Sequence, residues 1–247
     1  MKILALSEGA FTIDKTKKFV PFNIDKDQLN DRPIGSLLVE IQPFVVITKK
    51  DIILLDTGLG YVDNTGQPQI HNNLQDLGVD PDSVTKVIMS HLHKDHAGGI
   101  GLQNNGEIKK ELSFKNATYY ISAQELSFAL ESTTSSYVSE DLNLLRNNPQ
   151  VILLPTKGVI DNYINYEETG GHSIHHMAIW IKEDDEIVFF GGDVAPQLQQ
   201  MKSRFVAKYD YDGKKSMEFR RGWLDKGTIE KWTFLFYHDI KNPVYQF

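Results

Sequence analysis

The sequence predicts an α+β protein in which two β-sheets pack together and helices cover their outer faces. Short apolar runs typical of strands recur between helix signals along the whole chain, and no repeat or linker interrupts them. Residues 159–190 contain four such runs, and a hairpin at Glu183-Asp184-Asp185 favours antiparallel pairing there. At 247 residues, the chain could form one large domain or two small ones.

Apolar runs and turn signals define the elements before residue 90. Strands are expected at residues 3–6, 36–48, 51–55 and 87–89, and the turn at Lys49-Lys50 joins the second strand to the third. The segment 11–33 mixes charges with apolar residues, so we expect it to be irregular. A helical turn closed by Gly78 and a short helix that begins at Asp80 precede the last of these strands.

The second half of the chain is richer in strand signals. Ser122-Ala123-Gln124-Glu125 fits a capping box that opens a helix through about residue 130. A helix is also expected over 216–232, interrupted near Gly222 and Gly227. The expected strands cover residues 118–121, 151–154, 159–160, 163–167, 177–181, 187–190 and 233–237.

The composition is that of an ordinary soluble globular protein, with 40% hydrophobic and 11% aromatic residues. The absence of cysteine excludes disulfides, thiolate metal ligands and a cysteine nucleophile. A formal net charge of −7 argues against a general affinity for nucleic acid. No signal peptide or membrane-spanning stretch is recognisable, so we expect a cytoplasmic protein that does not bind membranes.

The most informative stretch is Ser-His-Leu-His-Lys-Asp-His-Ala-Gly-Gly, residues 90–99. It places four first-row metal ligands within six positions, and it follows a short buried strand. Residues two apart near a strand end point to the same side, so His91 and His93 can reach one metal together. Asp95 and His96 fall at the following turn, where they can bind a second ion. A surface loop rich in histidine is the plainer interpretation, but three of the eight histidines lie in this window.

Three more potential ligands lie far away in the sequence, each at a predicted strand end. His172 follows a glycine turn, Asp193 follows an apolar strand and Gly191-Gly192, and His238 ends the last strand. Active-site residues of layered proteins gather at such positions. Taken singly, each of these side chains is more typical of a cap or a hydrogen-bonded core residue. Together with the motif, they predict a metal site.

These residues, with Asp56-Thr57-Gly58 upstream, resemble the metallo-β-lactamase-fold hydrolases in type, order and spacing. The resemblance implies a four-layer αβ/βα sandwich with metals in a cleft at one edge, formed by a single hydrolase domain over residues 1–247. It also implies that one ion is held by His91, His93 and His172. The other ion would be held by Asp95, His96 and His238, and Asp193 would bridge both. Asp56 would orient the site and His176 would support it.

An imidazole and carboxylate site suits two zinc ions, with manganese, iron or cobalt as possible occupants. Such a pair, roughly 3.5–4 Å apart, lowers the pKa of a bound water toward about 7. The resulting hydroxide would attack a carbonyl or phosphoryl centre, with Asp95 as a catalytic residue that accepts or relays a proton. The expected reaction is therefore hydrolysis of a small-molecule substrate, in a protein that is monomeric or dimeric.

The spacing from His172 to Asp193 to His238 resembles the N-acyl homoserine lactone lactonases of this superfamily, which favours an ester or lactone substrate. Those enzymes often carry a tyrosine three residues after the bridging aspartate, where this chain has Pro196. Tyr137, Tyr209 and Tyr211 are possible substitutes.

The alternatives are hydrolysis of a phosphoester, thioester or β-lactam, a mononuclear iron dioxygenase, and a non-catalytic metal-binding module. A basic cluster at Lys214-Lys215 and Arg220-Arg221 is more typical of a solvated helix face than of an anchor for an anionic substrate.

Overall fold

The computed structural model describes residues 1–104 and 107–247, and its centre is a pair of six-stranded β-sheets. The strands are β1 (Lys2–Ala5), β2 (Gly9–Ile13), β3 (Phe19–Pro21), β4 (Leu37–Ile41), β5 (Phe44–Ile47), β6 (Ile52–Leu55), β7 (Lys86–Ile88), β8 (Gly101–Asn104), β9 (Glu107–Leu112), β10 (Thr118–Ser122), β11 (Val151–Leu154), β12 (Lys157–Ile160), β13 (Ile164–Glu168), β14 (Met177–Glu183), β15 (Glu186–Phe190), β16 (Thr233–Leu235) and β17 (Val244–Gln246). The helices are α1 (Gln69–Asp76), α2 (Lys94–Ala97), α3 (Ala123–Glu131), α4 (Ser139–Leu142), α5 (Leu198–Met201) and α6 (Gly213–Ile229).

The first sheet has the order β1-β5-β6-β7-β10-β11, and β6, β7, β10 and β11 run parallel. The second has the order β12-β13-β14-β15-β16-β17 and is antiparallel except for the parallel pair β15 and β16. A separate three-stranded sheet, β3-β2-β4, adds Phe11, Val39 and Ile41 to the apolar cluster between them. Because the carboxyl ends of parallel strands meet at one edge, the segments after β6, β7, β15 and β16 can converge on one site.

Strand periodicity explains how the layers pack. In β5, Phe44 and Val46 belong to the apolar cluster between the sheets, where the Phe44 ring lies 6.1 Å from the Phe190 ring. Val45 points to the opposite face and joins the cluster that contains Leu74 of α1. Successive side chains on a strand face opposite sides, so each sheet can bury both faces.

The second sheet is covered in the same way. Phe189 of β15 packs 4.8 Å from Trp223 of α6, whereas its neighbour Phe190 faces the first sheet. Two sheets therefore pack together with helices outside, and the predicted four-layer αβ/βα sandwich is confirmed. In the part of the chain that the structure describes, we find no helix with the length and apolarity to cross a membrane.

The expectation of one strand over residues 36–48 is wrong. The chain splits at Gln42-Pro43 into β4, which pairs with β2, and β5, which pairs with β1 and β6. Proline has no N–H to donate to a sheet, which favours a break at this position. The Pro43 carbonyl accepts a hydrogen bond from the Leu6 backbone N–H at 2.8 Å, so the break is tied to the sheet.

Two further expectations need correction. The segment 11–33 is not wholly irregular, because β2 and β3 pair antiparallel within and beside it. The helix α6 is not interrupted near Gly222 or Gly227. A Cβ at Gly227 would lie 2.4 Å from the Phe234 ring, so this glycine lets the helix approach the sheet rather than break.

Candidate metal centre

The histidine-rich motif begins just past the end of β7. His91 and His93 lie in the loop after the strand, and α2 carries Asp95 and His96. The backbone carbonyl of Ser90 accepts a hydrogen bond from Met177 N–H at 2.8 Å, which ties the motif to β14 of the second sheet. The motif therefore lies at the edge where the two sheets meet.

The three histidines His91, His93 and His172 form the histidine group. One ligand atom from each lies within 4.8 Å of the other two. The His172 Nε2 is 3.0 Å from the His93 Nδ1, although these residues are 79 positions apart in sequence. The fold thus brings the predicted third histidine to the motif.

Asp95, His96 and His238 form the mixed group, in which ligand atoms also lie within 4.8 Å of one another. An Asp95 carboxylate oxygen is 3.6 Å from the His238 Nε2 and 3.8 Å from the His96 Nε2. His238 is contributed by the segment after β16, so this group also joins the two halves of the chain.

Asp193 lies between the two groups. Its Oδ2 is 3.2 Å from the His172 Nε2, and its Oδ1 is 3.2 Å from the His96 Nε2 and 3.0 Å from the His238 Nε2. One carboxylate therefore contacts members of both groups, and this position suits a bridging ligand.

A glycine precedes this aspartate for a physical reason. Gly192 has φ +46°, and a Cβ there would lie 2.5 Å from the His176 Nε2. Glycine lacks a Cβ and adopts positive φ at little cost, so it permits this close approach. The same His176 nitrogen accepts a hydrogen bond from the Asp193 backbone N–H at 3.1 Å, which gives His176 a supporting position.

The donor set fits metal ions by a direct structural criterion. Three buried atoms of the centre, namely His91 Nε2, His96 Nε2 and Asp193 Oδ1, make no hydrogen bond of acceptable geometry, although the last two are close enough for an ion pair. Buried polar atoms nearly always have a partner, so such a cluster is costly unless something else binds it. Divalent cations bound by imidazole and carboxylate would satisfy these atoms.

The far nitrogen of most of these imidazoles is held in place. The His91 Nδ1 lies 3.0 Å from the Ser90 hydroxyl, and the His172 Nδ1 lies 2.9 Å from the Asp210 carboxylate. The His96 Nδ1 lies 2.7 Å from the Asp56 carboxylate, and the His238 Nδ1 lies 2.7 Å from the Glu40 backbone carbonyl. Hydrogen bonds of this kind orient metal-binding histidines and fix their tautomers.

Asp56 is fully buried at the end of β6, and both of its oxygens are occupied. Its Oδ1 accepts from the Ser90 backbone N–H, and its Oδ2 contacts the Ser90 hydroxyl and the His96 Nδ1, each at 2.7 Å. Although ligand atoms of Asp56, His91 and His96 also lie within 4.8 Å of one another, these contacts make Asp56 better suited to orient the site than to bind an ion. Burial raises the pKa of Asp56, against the effect of these hydrogen bonds.

The two groups differ in electrostatics. Burial lowers the pKa of both His91 and His93, and neighbouring imidazoles lower it further. Burial acts the same way on His96, but the Asp193 and Asp95 carboxylates overcome it and raise the His96 pKa well above its ordinary value. The pKa of Asp193 is held well below its usual range by His238, His96 and His172, although burial opposes this.

Two supporting residues were missed by the sequence analysis. Asp210 holds the His172 Nδ1, and nothing in its sequence surroundings indicates that role. Glu125 was expected to complete a capping box, and Ser122 does cap α3. The buried Glu125 carboxylate instead accepts hydrogen bonds from the Leu92 backbone N–H at 3.1 Å and from the Ser173 hydroxyl at 3.2 Å, next to three metal-ligand candidates.

A cavity of about 710 Å³ opens onto the centre. His93, Asp95, His172, Asp193 and His238 line it. Apolar side chains also line it, namely Ile13, Phe19, Leu37, Leu38, Val39, Phe205 and Val206. Such a cleft suits a small organic substrate with an apolar part.

The three candidate tyrosines have different positions. Tyr209 lines the cavity, and its hydroxyl accepts a hydrogen bond from the Gln200 amide at 3.0 Å. Burial raises the Tyr209 pKa to about 12. The Tyr137 hydroxyl instead donates to Glu125, and Tyr211 is exposed to solvent.

The remaining histidines lie outside the cluster. His71 packs 5.0 Å from the Phe114 ring, and His175 lies 3.1 Å from Glu168. The basic cluster is also divided, because Arg220 is buried and donates to the Val194 carbonyl.

Comparison with known proteins agrees with this geometry. Residues 39–221 match the family model of the metallo-beta-lactamase superfamily. The N-acyl homoserine lactonase AiiA of Bacillus thuringiensis subsp. kurstaki is 27% identical over 194 residues, which cover 68% of this chain and 76% of the relative. A probable metal-dependent hydrolase from Staphylococcus aureus has a TM-score of 0.80 at 22% identity, covering 99% of this chain and 91% of the other. AidC, a dizinc quorum-quenching lactonase solved with a product, has a TM-score of 0.73 at 19% identity, covering 98% and 88%.

The chain belongs to the metallo-beta-lactamase superfamily. Within it, the fold, the histidine and aspartate cluster and the lactonase relatives identify the protein as a metal-dependent hydrolase.

Proposed function

We propose that the protein is a dinuclear hydrolase of esters or lactones. The observation that carries this proposal is the position of Asp193, whose carboxylate lies within 3.2 Å of His172 on one side and of His96 and His238 on the other. In this proposal the histidine group binds one ion, the mixed group binds the second, and Asp193 bridges them. Residues 1–247 act together as one domain.

Zinc is the proposed metal. The donors are imidazoles and carboxylates without a thiolate, a set that also accepts manganese, iron or cobalt. The AidC lactonase, which shares the fold, is a dizinc protein. Two bound cations would supply Lewis acidity and an activated water for attack on the substrate carbonyl.

The side chains around the centre would supply the rest of the chemistry. Asp95 lines the cavity and lies 3.6 Å from His238, so its carboxylate can accept a proton released during attack and deliver it to the leaving oxygen. Tyr209 lines the cavity, and in this proposal its hydroxyl would donate a hydrogen bond to the substrate carbonyl, a role that Pro196 cannot fill. The apolar cavity wall would hold the acyl part of the substrate and exclude water.

The lactonase relatives favour a lactone or ester over other substrates. A panel of lactones, carboxylic esters, phosphotriesters, β-lactams and thioesters, assayed with zinc- and manganese-loaded protein, tests this choice. We expect the highest kcat/KM on a lactone or ester, and a dominant activity on another class would overturn it.

Two histidine variants, one at the site and one outside it, serve as test and control in this assay. We expect His93→Ala to abolish hydrolysis, because it removes a member of the histidine group. His71→Ala should retain it, because His71 lies against Phe114 and outside the cluster. Equal activity in both variants would contradict the proposed site.

A further inference from the structure

Cationic side chains form part of the cavity lining. Four lysines, Lys15, Lys17, Lys94 and Lys208, line the same cavity as the candidate metal ligands. Three aspartates, Asp14, Asp95 and Asp193, line the cavity as well, so cations slightly outnumber acids here, whereas the whole chain has 33 acidic and 26 basic residues.

Two of these lysines are anchored beside the centre by neutral groups. Lys94 lies between His93 and Asp95, and its ammonium donates to the Lys17 backbone carbonyl at 2.7 Å. The Lys17 ammonium donates to the hydroxyl of Ser136, which also lines the cavity, at 2.6 Å. Lys94 also lies 5.7 Å from the centre of the Phe19 ring.

No carboxylate neutralises this group directly. Within the described part of the chain, none of the four lysines has an ion-pair partner within 4.0 Å. The one acid in the cavity lining besides Asp95 and Asp193 is Asp14, and its Oδ1 accepts from both the backbone N–H and the hydroxyl of Thr16. The four ammonium groups are therefore not held in close ion pairs, although Asp14 interacts with Lys15 and Asp95 with Lys94 at longer range.

We propose that these lysines form a subsite for an anionic substituent of the substrate, separate from the bond that is hydrolysed. This inference rests on the proposed function and narrows its substrate class to esters or lactones that carry a carboxylate or phosphate-like group. Lysine ammonium groups act as point charges for such anions, and a cleft with low-dielectric walls strengthens their attraction. The apolar wall would contact the chain that connects the anion to the scissile carbonyl.

Three para-nitrophenyl esters of similar length test the subsite with zinc-loaded protein. The pentanoate is neutral, the glutarate carries a terminal carboxylate, and the phosphonobutanoate carries a terminal phosphonate. We expect kcat/KM for at least one anionic ester to exceed that for the neutral ester by about tenfold, mainly through a lower KM, which corresponds to roughly 1.4 kcal/mol. Higher salt should reduce this preference, because it screens partly exposed charges.

Charge-removing variants assign the effect to the lysines. Lys17→Gln and Lys94→Gln should each bring the ratio of anionic to neutral kcat/KM closer to one, while Lys17→Arg should keep it. Because the ratio is measured within each variant, loss of folded protein cancels. Lys182→Ala, at an exposed position of β14, is the control and should leave the ratio unchanged.

Different results would overturn the anionic subsite and the proposed ester or lactone hydrolase activity. A wild-type ratio of one or less, or a ratio that the lysine variants leave unchanged, overturns the anionic subsite. Absence of hydrolysis of all three esters and of the lactones would instead overturn the proposed ester and lactone hydrolase.

Discussion

The histidine group and the mixed group of the candidate metal centre differ in the electrostatic surroundings of their imidazoles. The histidine group consists of imidazoles only, and burial lowers the pKa of His91 and His93. In the mixed group, the Asp193 carboxylate raises the pKa of both His96 and His238 against the effect of burial. Neutral imidazoles are ready to bind a cation, whereas protonated ones must first release a proton.

The supports of the two groups differ as well. Glu125 and Asp210 hold the loops of the histidine group, and neither was evident from the sequence. Asp56 holds the mixed group through direct contact with His96, and it reaches His91 of the histidine group only through the Ser90 hydroxyl. The Tyr237 ring stacks on His96 with ring centres 4.0 Å apart. The comparison indicates that the two ions would respond to different sets of supporting residues, with Asp193 as the shared element.

Removing the shared element should have the largest effect. We expect Asp193→Ala to abolish hydrolysis and to lower metal content, because its carboxylate contacts members of both groups. Steady-state kinetics and elemental analysis of the purified variant measure both quantities. Full activity in Asp193→Ala would contradict the bridging role.

Weakening the support of the histidine group should have an intermediate effect. Glu125→Ala removes the acceptor of the Leu92 N–H and the Ser173 hydroxyl, which neighbour the ligand candidates. We expect about 10–100-fold weaker binding of one of two zinc ions, the usual scale for residues that support metal ligands. Calorimetric titration of metal-free protein measures this change. Glu131→Ala, at the exposed end of the same helix, should bind zinc like the wild type.

The corresponding change on the other side is Asp56→Asn. It removes the charge that holds the His96 Nδ1, so we expect a similar loss in the other zinc-binding step. Cobalt titration followed by visible absorption provides a second readout of each step. If Asp56→Asn and Glu125→Ala weaken the same step, the division into two separately supported groups is wrong. Asp76→Asn, at an exposed position of α1, serves as the control.

The smallest expected effect concerns pH and the loop beside the mixed group. Burial raises the pKa of Glu8 from 4.5 to about 8, and its carboxyl accepts from the Leu59 N–H at 2.7 Å. A raised folded-state pKa stabilises the protein below pH 4.5, and this stability is lost as the pH rises through 8. The Tm of Glu8→Gln should therefore rise relative to that of the wild type as the pH increases between these values, by about ten degrees at pH 8. A difference in Tm between Glu8→Gln and the wild type that does not change with pH would contradict the prediction. The control is Glu218→Gln, at an exposed site of α6, whose Tm difference from the wild type should not depend on pH.

Much of the fold and of the candidate site could be predicted because the signals are local. The motif at 90–99 combines several ligand types within a few positions, and continuous apolar runs such as residues 187–190 of β15 indicate buried strands. The split between β4 and β5 was missed although Pro43 favours it, because both halves have strand-like sequences and pair with different strands.

The supporting residues could not be predicted in the same way. Glu125 looks like a helix cap because Ser122 precedes it at the right spacing, yet its carboxylate bonds to Leu92 and Ser173, which are 33 and 48 positions away. Asp210 reaches His172 across 38 positions. Such roles depend on long-range packing, for which a single sequence carries no local signal.

The most direct test of the account is the metal stoichiometry of the purified protein, measured by elemental analysis together with hydrolysis and oxygen consumption. We expect two zinc ions per chain, hydrolysis that is lost on chelation and restored by the second equivalent of zinc, and no oxygen uptake. A single iron per chain with oxygen consumption would contradict it and would identify a mononuclear dioxygenase instead.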